Sequence, residues 1–368
     1  MRHNPDVGLG SVLTSAAGAL GVPGFTDVLE LGRCSCAVVL LVDGLGASVL
    51  EHHEDLFPAL VRAQGGSIEA AFPTTTSTGL VSLGTGLDPG IHGIVGATFW
   101  LPDTSELLGP LRWGSSPSPF AVQPEPTVFE RVQDFGVSCF CVGPQTYSHS
   151  GLTRAAFRGS EYLAADTIAD RADIVAAIAG KASWTSPSLV YVYWPALDRA
   201  GHEFGIDSRP WRSAASDVNA LVLALHEALS TDARLVITAD HGMLDTRSRI
   251  WIEDDHRLSI DVRAIGGEPR MRHVYTNHAD DADDVALRWS SVLGEQARIM
   301  TRTVAVNEGL FGAVDPAVSE RIGDVIALPT DGLLLASHIV DELVSSLPGQ
   351  HGGLTDAERR IPALILDQ

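Results

Sequence analysis

Residues 37–46 read "AVVLLVDGLG" and give the clearest indication of the fold in this 368-residue chain. The first six are aliphatic without a polar interruption, which is typical of a strand buried on both faces of a parallel sheet. The run ends in Asp43, and Gly44 then lets the chain turn sharply. The stretch therefore predicts a buried strand that carries a carboxylate at its C-terminal end.

Short apolar runs of the same kind recur along the chain. They are VSCFCVG (137–143), SLVYVYW (188–194) and RLVITAD (234–240). In the segments 166–180 and 211–230, apolar residues recur every three or four positions, as in amphipathic helices. Strands that alternate with helices predict an α/β fold with a mostly parallel central sheet and helices on both faces.

The chain 1–368 is expected to form a single domain with one small insertion. Within residues 257–322 a strand-like stretch, a helix-like stretch and a second strand-like stretch follow one another. We interpret this segment as an inserted α+β subdomain, after which the main chain resumes at "RIGDVIALP" (321–329).

Charge and hydropathy exclude several classes of partner. The chain has 46 acidic and 25 basic residues and a formal net charge of −21, which repels nucleic-acid polymers and anionic membranes. Its longest uninterrupted aliphatic run, residues 37–42, is far shorter than the ~20 apolar residues of a membrane span. A small-molecule partner is therefore expected, and the sequence says nothing about oligomeric state.

The four cysteines bear on the cellular location of the protein. They occur as the pairs Cys34/Cys36 and Cys139/Cys141, a spacing that places each pair on one face of a strand and matches no common zinc motif. Free buried thiols suit a reducing cytoplasm, which is the predicted location. The apolar stretch "SVLTSAAGALGV" (11–22) leaves secretion as the alternative.

Acidic and histidine residues follow the predicted strands. Asp198 and His202 are four residues apart, so a helical turn would place both on one face, as a metal pair requires. Asp240 and His241 end another strand, and ligands of open α/β sheets bind beyond the carboxyl ends of the strands. With Asp43 these residues suit zinc or manganese, although each motif alone is also common in turns. His351, in "LPGQHGGLT", adds a further imidazole.

Five motifs in order carry a family resemblance. They are VDGLG (42–46), FPTTTSTGLVSLGTGLDPGIHGIVG (72–96), DRAGHEFG (198–205), TADHGM (238–243) and QHGG (350–353). In this order they resemble the alkaline phosphatase superfamily, and within it the nucleotide pyrophosphatase/phosphodiesterase-like branch. The resemblance implies an alkaline phosphatase-like catalytic domain that binds two divalent metal ions, Zn²⁺ or Mn²⁺. It assigns one ion to Asp43, Asp240 and His241 and the other to Asp198, His202 and His351.

The resemblance also implies a nucleophile and a reaction. The family threonine corresponds to Thr76, which would begin a helix, contact a metal ion and attack phosphorus, with Thr74 and Thr75 as polar neighbours. A helix N-terminus favours a bound phosphoryl group. The implied activity is hydrolysis of phosphodiester or pyrophosphate bonds in nucleotide-like substrates through a phosphothreonine intermediate. A hydroxyl-rich helix cap is the alternative interpretation of this stretch.

One position departs from the family. Gly79 stands where the phosphodiesterases usually carry an asparagine that donates to a phosphoryl oxygen. Ser77, Thr78 or the Gly79 amide are candidates to replace that donor. The departure also motivates an alternative of another class, an inactive homologue that only binds a metal or ligand.

Aromatic residues near two motifs are candidates for substrate contacts. Phe99, Trp100 and Trp194 could form a wall against the organic group of a diester, or belong to the core. The insertion could instead bring Arg270, Arg272 or His273 over the site, which would favour monoesters. A phosphomonoesterase or a phosphonate hydrolase on the same site is therefore the alternative enzyme function.

Overall fold

A computed structural model describes residues 1–366. The strands within this range are β1 (Arg2–Gly8), β2 (Cys36–Val42), β3 (Gln64–Glu69), β4 (Phe99–Leu101), β5 (Glu106–Leu108), β6 (Ser138–Gly143), β7 (Glu161–Ala164), β8 (Ser188–Trp194), β9 (Ala233–Thr238), β10 (Leu244–Asp245), β11 (Ser248–Trp251), β12 (Val262–Glu268), β13 (Met271–Thr276), β14 (Ala297–Thr301), β15 (Val325–Pro329), β16 (Leu333–Ala336), β17 (Gly349–Gln350) and β18 (Arg360–Leu366).

The α-helices of the same range are α1 (Ser11–Ala19), α2 (Ala47–His52), α3 (Pro58–Val61), α4 (Thr76–Thr85), α5 (Pro89–His92), α6 (Pro119–Val122), α7 (Val128–Gln133), α8 (Gly151–Ala156), α9 (Ile168–Ala179), α10 (Ala196–Phe204), α11 (Arg209–Glu227), α12 (Ala282–Leu293), α13 (Arg302–Asn307), α14 (Pro316–Ser319), α15 (Glu342–Ser346) and α16 (Asp356–Arg359). Short 3₁₀ turns lie at Glu54–Leu56, Pro110–Arg112, Gln145–Tyr147, Ile252–Asp254, His256–Leu258, Ala279–Asp281 and Gly294–Gln296.

The central sheet has eight strands in the order β1-β3-β18-β9-β2-β8-β6-β7. Only β18 runs antiparallel to its neighbours, and every other pairing is parallel. The four apolar runs of the sequence form β9, β2, β8 and β6, which lie side by side in the sheet. The prediction of a mostly parallel α/β sheet is therefore confirmed.

Burial explains why these strands carry no polar alternation. Every residue of β2 is buried, and since successive side chains point to opposite faces, both faces of the sheet are covered. Helix α1, which lies within the stretch 11–22, packs against β2 with Val12, Leu13 and Ala16 fully buried. None of the helices in residues 1–366 is both long and apolar enough to cross a membrane.

The cysteines are free and buried, as expected from their spacing. Cys36 lies in β2, and Cys139 and Cys141 lie in β6. Burial raises the pKa of the Cys34, Cys36 and Cys139 thiols to about 12. These thiols are therefore protonated core groups at neutral pH.

A second, antiparallel sheet of four strands has the order β12-β13-β15-β14. Helix α12 contributes Trp289 and Val285 to a separate apolar cluster with this sheet. The expected bounds of the insertion, 257–322, leave out β15, which lies between β13 and β14. The chain therefore does not rejoin the central sheet at "RIGDVIALP" as expected. An apolar strand pattern shows burial but not which sheet the strand joins.

Candidate active site

Neighbouring strand ends position most of the predicted ligand residues. Asp43 directly follows β2, and Asp240 and His241 follow β9, its parallel neighbour. On the other side of β2, strand β8 leads into α10, which carries Asp198 and His202 one turn apart. His351 arrives from the C-terminal part of the chain because β17 pairs with β10, just beyond His241.

The first ligand group consists of Asp43, Asp240 and His241, whose ligand atoms all lie within 4.8 Å of one another. Nε2 of His241 lies 3.4 Å from Oδ1 of Asp43 and 3.5 Å from Oδ2 of Asp240. Thr76 lies beside this group, with its Oγ1 3.2 Å from Nε2 of His241. One imidazole nitrogen thus faces three oxygens from three different segments.

The second ligand group consists of Asp198, His202 and His351, and its ligand atoms also lie within 4.8 Å of one another. Nε2 of His202 lies 3.5 Å from Oδ2 of Asp198, and Nε2 of His351 lies 3.7 Å from Oδ1. The two groups are adjacent because the rings of His241 and His351 stack with centroids 3.6 Å apart. The structure therefore brings all the predicted ligand residues together.

Backbone carbonyls fix the tautomers of the three histidines. Nδ1 of His202 bonds to the Gly349 carbonyl at 2.8 Å, Nδ1 of His351 to the Thr74 carbonyl at 2.9 Å, and Nδ1 of His241 to the Gly242 carbonyl at 3.0 Å. A carbonyl only accepts, so each Nδ1 carries a hydrogen, and a ring that is neutral then presents a lone pair at Nε2.

These lone pairs meet in the second group. The Nε2 atoms of His202 and His351 are 3.0 Å apart, and neither can donate to the other when both rings are neutral. Burial, together with the neighbouring His241 and His202, holds the pKa of His351 well below its ordinary value, which keeps that ring neutral. Two lone pairs at this distance fit a shared cation between them.

Three buried carboxylate oxygens point to the same conclusion. Oδ1 of Asp43, Oδ2 of Asp240 and Oδ1 of Asp198 have no hydrogen-bond partner within the described chain. Burial raises the pKa of all three carboxyls, and mutual repulsion adds to the shift of Asp43 and Asp240. Orphaned buried oxygens beside imidazole lone pairs fit two divalent metal ions of the kind that nitrogen and oxygen donors bind.

Thr76 is the first residue of α4, and Thr75 precedes it in an extended conformation. The first N–H groups of a helix lack intrahelical partners and carry the positive end of the helix dipole. Thr74 has a different role, because its hydroxyl donates to the Gly353 carbonyl at 2.8 Å and accepts from the Gly352 amide. Of the three threonines, only Thr76 has its hydroxyl hydrogen-bonded to a ligand residue.

A cavity of about 590 Å³ opens beside both ligand groups and is lined by Thr76, Asp43, Asp198 and His351, among others. Its other walls are mainly apolar and aromatic and include Tyr147, Leu152, Phe157, Tyr162, Tyr191 and Tyr193. Among the lining residues of the described chain, the exposed Arg199 is the only arginine or lysine.

The predicted substrate contacts do not line this cavity. Gly79 faces Asp240 instead, since a Cβ at this position would lie 2.8 Å from the Asp240 Cβ. Phe99 is fully buried, and Trp100 packs under the Arg263 guanidinium, 4.3 Å from its ring. Trp194 is buried against Arg171. This corrects the expected aromatic wall, and an asparagine at position 79 would not fit this backbone.

The other polar candidates are also placed elsewhere. Ser77 donates to the Gly96 carbonyl, and the Gly79 amide donates to the Thr75 carbonyl, both at 2.9 Å. Thr78 is buried outside the cavity lining, with no partner for its hydroxyl in the described chain.

The insertion brings no free cation over the site. Arg270 pairs with Glu358 through two 3.0 Å contacts, and Arg272 pairs with Asp341. His273 is buried, with both ring nitrogens bonded to backbone groups. None of these three residues lines the cavity.

Tyr193 is a site residue that the sequence analysis missed. Its hydroxyl donates to Oδ2 of Asp43, the oxygen opposite the unpartnered Oδ1. The alternation of side chains along β8 could have identified it from the sequence. Tyr191 and Tyr193 share the face of β8 that lines the cavity, whereas Trp194 points to the opposite face.

A parallel α/β sheet with two acid–histidine groups beyond its strand ends is the arrangement expected of phosphoryl hydrolases of the alkaline phosphatase superfamily. The family model described as type I phosphodiesterase/nucleotide pyrophosphatase matches residues 37–354, and the chain belongs to that family of hydrolases. A search of curated proteins finds no significant match.

Solved structures share the fold at low sequence identity. Murine ectonucleotide pyrophosphatase/phosphodiesterase 5 has a TM-score of 0.71 and 19% identity over 89% of this chain and 87% of its own. An inactive threonine-to-alanine variant of that protein, in complex with AMP, has a TM-score of 0.68 and 18% identity over the same shares. Phosphonoacetate hydrolase from Sinorhizobium meliloti 1021, in complex with phosphonoformate, has a TM-score of 0.69 and 18% identity over 89% of both chains.

Proposed function

We propose that this protein hydrolyses phosphodiester or pyrophosphate bonds of small, nucleotide-like molecules, with Thr76 as nucleophile and two divalent metal ions as cofactors. The observation that carries the proposal is the position of the Thr76 hydroxyl, 3.2 Å from Nε2 of His241 and beside two adjacent ligand groups. A threonine that only capped α4 would not need to contact a ligand residue.

The ligand groups would hold one ion each. Asp43, Asp240, His241 and the Thr76 hydroxyl form a nitrogen-and-oxygen set that suits Zn²⁺, and Mn²⁺ is the alternative. The second set is Asp198, His202 and His351. Bound divalent cations supply the positive charge that lowers the pKa of an alcohol nucleophile and stabilises a leaving oxygen. They also make an anionic substrate compatible with a chain of net charge −21.

The residues of the chain then account for two displacements at phosphorus. Oγ1 of Thr76 gives up its proton and forms a bond to phosphorus, while the bond from phosphorus to the leaving oxygen breaks and that oxygen takes up a proton, which leaves phosphothreonine. Water next attacks that phosphorus, and Thr76 leaves as the alcohol. The N-terminal amides of α4 face the phosphoryl group in both steps. Two in-line displacements give net retention of configuration.

The cavity favours diesters over monoesters. Its tyrosine and phenylalanine side chains offer an aromatic wall to a nucleobase or another flat organic group. A monoester dianion carries a further charged oxygen that needs its own positive partner, and only Arg199 is in reach among the lining residues of the described range. The AMP complex of the murine neighbour supports a nucleotide-like substrate.

The decisive experiment compares matched substrates of one leaving group. We expect kcat/KM for bis-p-nitrophenyl phosphate to exceed that for p-nitrophenyl phosphate, with dinucleotide pyrophosphates as a third arm. A diester-to-monoester ratio below one would reassign the protein to the phosphomonoesterases. Selective turnover of a phosphonate would assign it to the phosphonate hydrolases, and no turnover of any substrate would favour an inactive homologue.

A further inference from the structure

Glu268 is the last residue of β12 and the one cavity-lining residue that this second sheet contributes in the described chain. It lines the same cavity as Thr76, Asp198 and His351 and is only 5% exposed. Its side chain rests against the loop that carries His351, since a Cβ at Gly352 would lie 2.4 Å from Cγ of Glu268. A buried carboxyl group thus belongs to the lining of the cavity that also contains Thr76 and the second ligand group.

The two oxygens of Glu268 differ in their partners. Oε2 accepts a hydrogen bond from the Ala97 amide at 2.9 Å. Oε1 is buried and has no hydrogen-bond partner in residues 1–366. One oxygen is therefore anchored to the backbone, and the other is buried near Gly352 without a protein group to satisfy it.

Glu268 has no salt bridge within residues 1–366. Arg272, which acts on it electrostatically, is paired with Asp341, and Glu358 is paired with Arg270. Burial raises the pKa of Glu268 to about 8, with the Ala97 hydrogen bond and Arg272 acting to lower it and Asp341 and Glu358 to raise it. A protonated carboxyl at Oε1 would carry a hydrogen that has no acceptor within the protein.

We infer that Glu268 is a catalytic residue: as a carboxylic acid, it donates a hydrogen bond from Oε1 to a non-bridging oxygen of the phosphoryl group that Thr76 attacks. The inference rests on the proposed function and deepens it. Charge in this reaction is spread over the non-bridging oxygens, where a fixed donor is most effective.

Glu268 fills a role for which the other candidates are engaged or misplaced. Position 79 lacks the side-chain donor expected from the family resemblance. The Ser77 hydroxyl and the Gly79 amide already donate to backbone carbonyls, and Thr78 lies outside the cavity. Arg199 is exposed at the edge of the cavity rather than held in place.

Three variants test this role. Glu268→Ala removes the donor and is expected to lower kcat for a diester by about 100- to 1,000-fold. Glu268→Gln supplies an amide N–H at the same place and is expected to recover at least about tenfold of that loss. Asp324→Asn, an acid-to-amide change in the same part of the chain, is the matched control because Asp324 pairs with Arg302 away from the cavity.

A pH series separates catalysis from packing. The donor proton is present below the pKa of Glu268 and lost above it, so the wild-type to Glu268→Gln ratio of kcat/KM should fall as pH rises. Metal ions lower this pKa and a bound phosphoryl anion raises it. The test is therefore the direction in which the kcat/KM ratio changes with pH, not the pH at which it changes. The same ratio for Asp324→Asn should not change with pH.

Inorganic phosphate provides a readout without turnover. Its affinity, measured by titration calorimetry, should fall in Glu268→Ala and partly return in Glu268→Gln. A Glu268→Ala enzyme as active as wild type, a Glu268→Gln enzyme as impaired as Glu268→Ala, or a ratio that rises with pH would overturn the inference. Wild-type protein that cleaves no phosphoester would instead refute the proposed function, and phosphate binding would still report on Glu268.

Discussion

Replacing Tyr193 with phenylalanine removes one hydroxyl that holds a proposed metal ligand. The hydroxyl donates to Oδ2 of Asp43, and this leaves Oδ1, which has no partner in the described chain, directed at the first metal position. Asp43 is only 3% exposed, and its contact with the half-buried Tyr193 hydroxyl is partly shielded from water, which limits replacement of the lost donor. Tyr193→Phe should therefore weaken metal binding while the fold is retained.

The size of the effect follows from the hydrogen bond. A hydrogen bond to a charged group contributes about 1.5–3 kcal/mol. Removing a group that orients a metal ligand typically costs about 10- to 100-fold in metal affinity, which corresponds to about 1.4–2.7 kcal/mol. We expect a loss of that size for Tyr193→Phe. Competition with a chromophoric chelator measures it directly.

Tyr191→Phe is the matched control for this experiment. Tyr191 lies two residues earlier on β8, stacks on Tyr193 at a centroid distance of 6.4 Å, and has a buried hydroxyl with no partner in residues 1–366. Its loss should leave metal affinity within about twofold of wild type. If Tyr193→Phe bound metal as tightly as Tyr191→Phe, the assignment of Asp43 as a ligand held by Tyr193 would be wrong.

Three further experiments have expected outcomes. In steady-state assays, Thr76→Ala should abolish turnover and Thr76→Ser should retain measurable activity, whereas Thr75→Ala should only slow the reaction. An inactive Thr75→Ala enzyme beside an active Thr76→Ala enzyme would move the nucleophile to Thr75. His351→Ala should lower the bound metal from two equivalents toward one by elemental analysis, and full retention would exclude His351 as a ligand. In metal-free protein, the raised pKa of Glu268 stabilises the fold below pH 4.5, and this contribution is lost as pH rises through about 8. Between pH 4.5 and about 8, the free energy of unfolding of Glu268→Gln should therefore rise by up to about 5 kcal/mol relative to that of wild type, as measured by urea unfolding. If the difference between the two proteins did not change with pH, it would argue against a protonated Glu268.

The fold and the convergence of the proposed ligand residues were predictable because both depend on strand ends. An uninterrupted apolar run identifies a strand buried on both faces, and in a parallel sheet such strands end at one edge. Asp43, Asp198 and Asp240 follow three neighbouring strands, so their convergence needed no further information. His351 stood out in the sequence as a further imidazole, but its assignment to the second ligand group came from the family resemblance, because its place depends on the pairing of β17 with β10.

The cavity walls were not predictable from composition in the same way. Trp194 was chosen as an aromatic residue beside a predicted ligand motif, but the alternation of side chains along β8 directs Tyr191 and Tyr193 into the cavity and Trp194 away from it. Glu268 could not be found because its position depends on how the second sheet packs against the His351 loop. The membership of β15 in the second sheet likewise depends on its long-range pairing with β13. Local patterns identify elements and their faces, whereas these contacts depend on tertiary packing.

The stereochemical course at phosphorus tests the central claim most directly. A chiral phosphorothioate diester hydrolysed in isotopically labelled water gives a product whose configuration counts the displacements. Attack by Thr76 followed by attack of water on phosphothreonine predicts net retention. Net inversion would show a single direct attack by water and would contradict the assignment of Thr76 as the nucleophile.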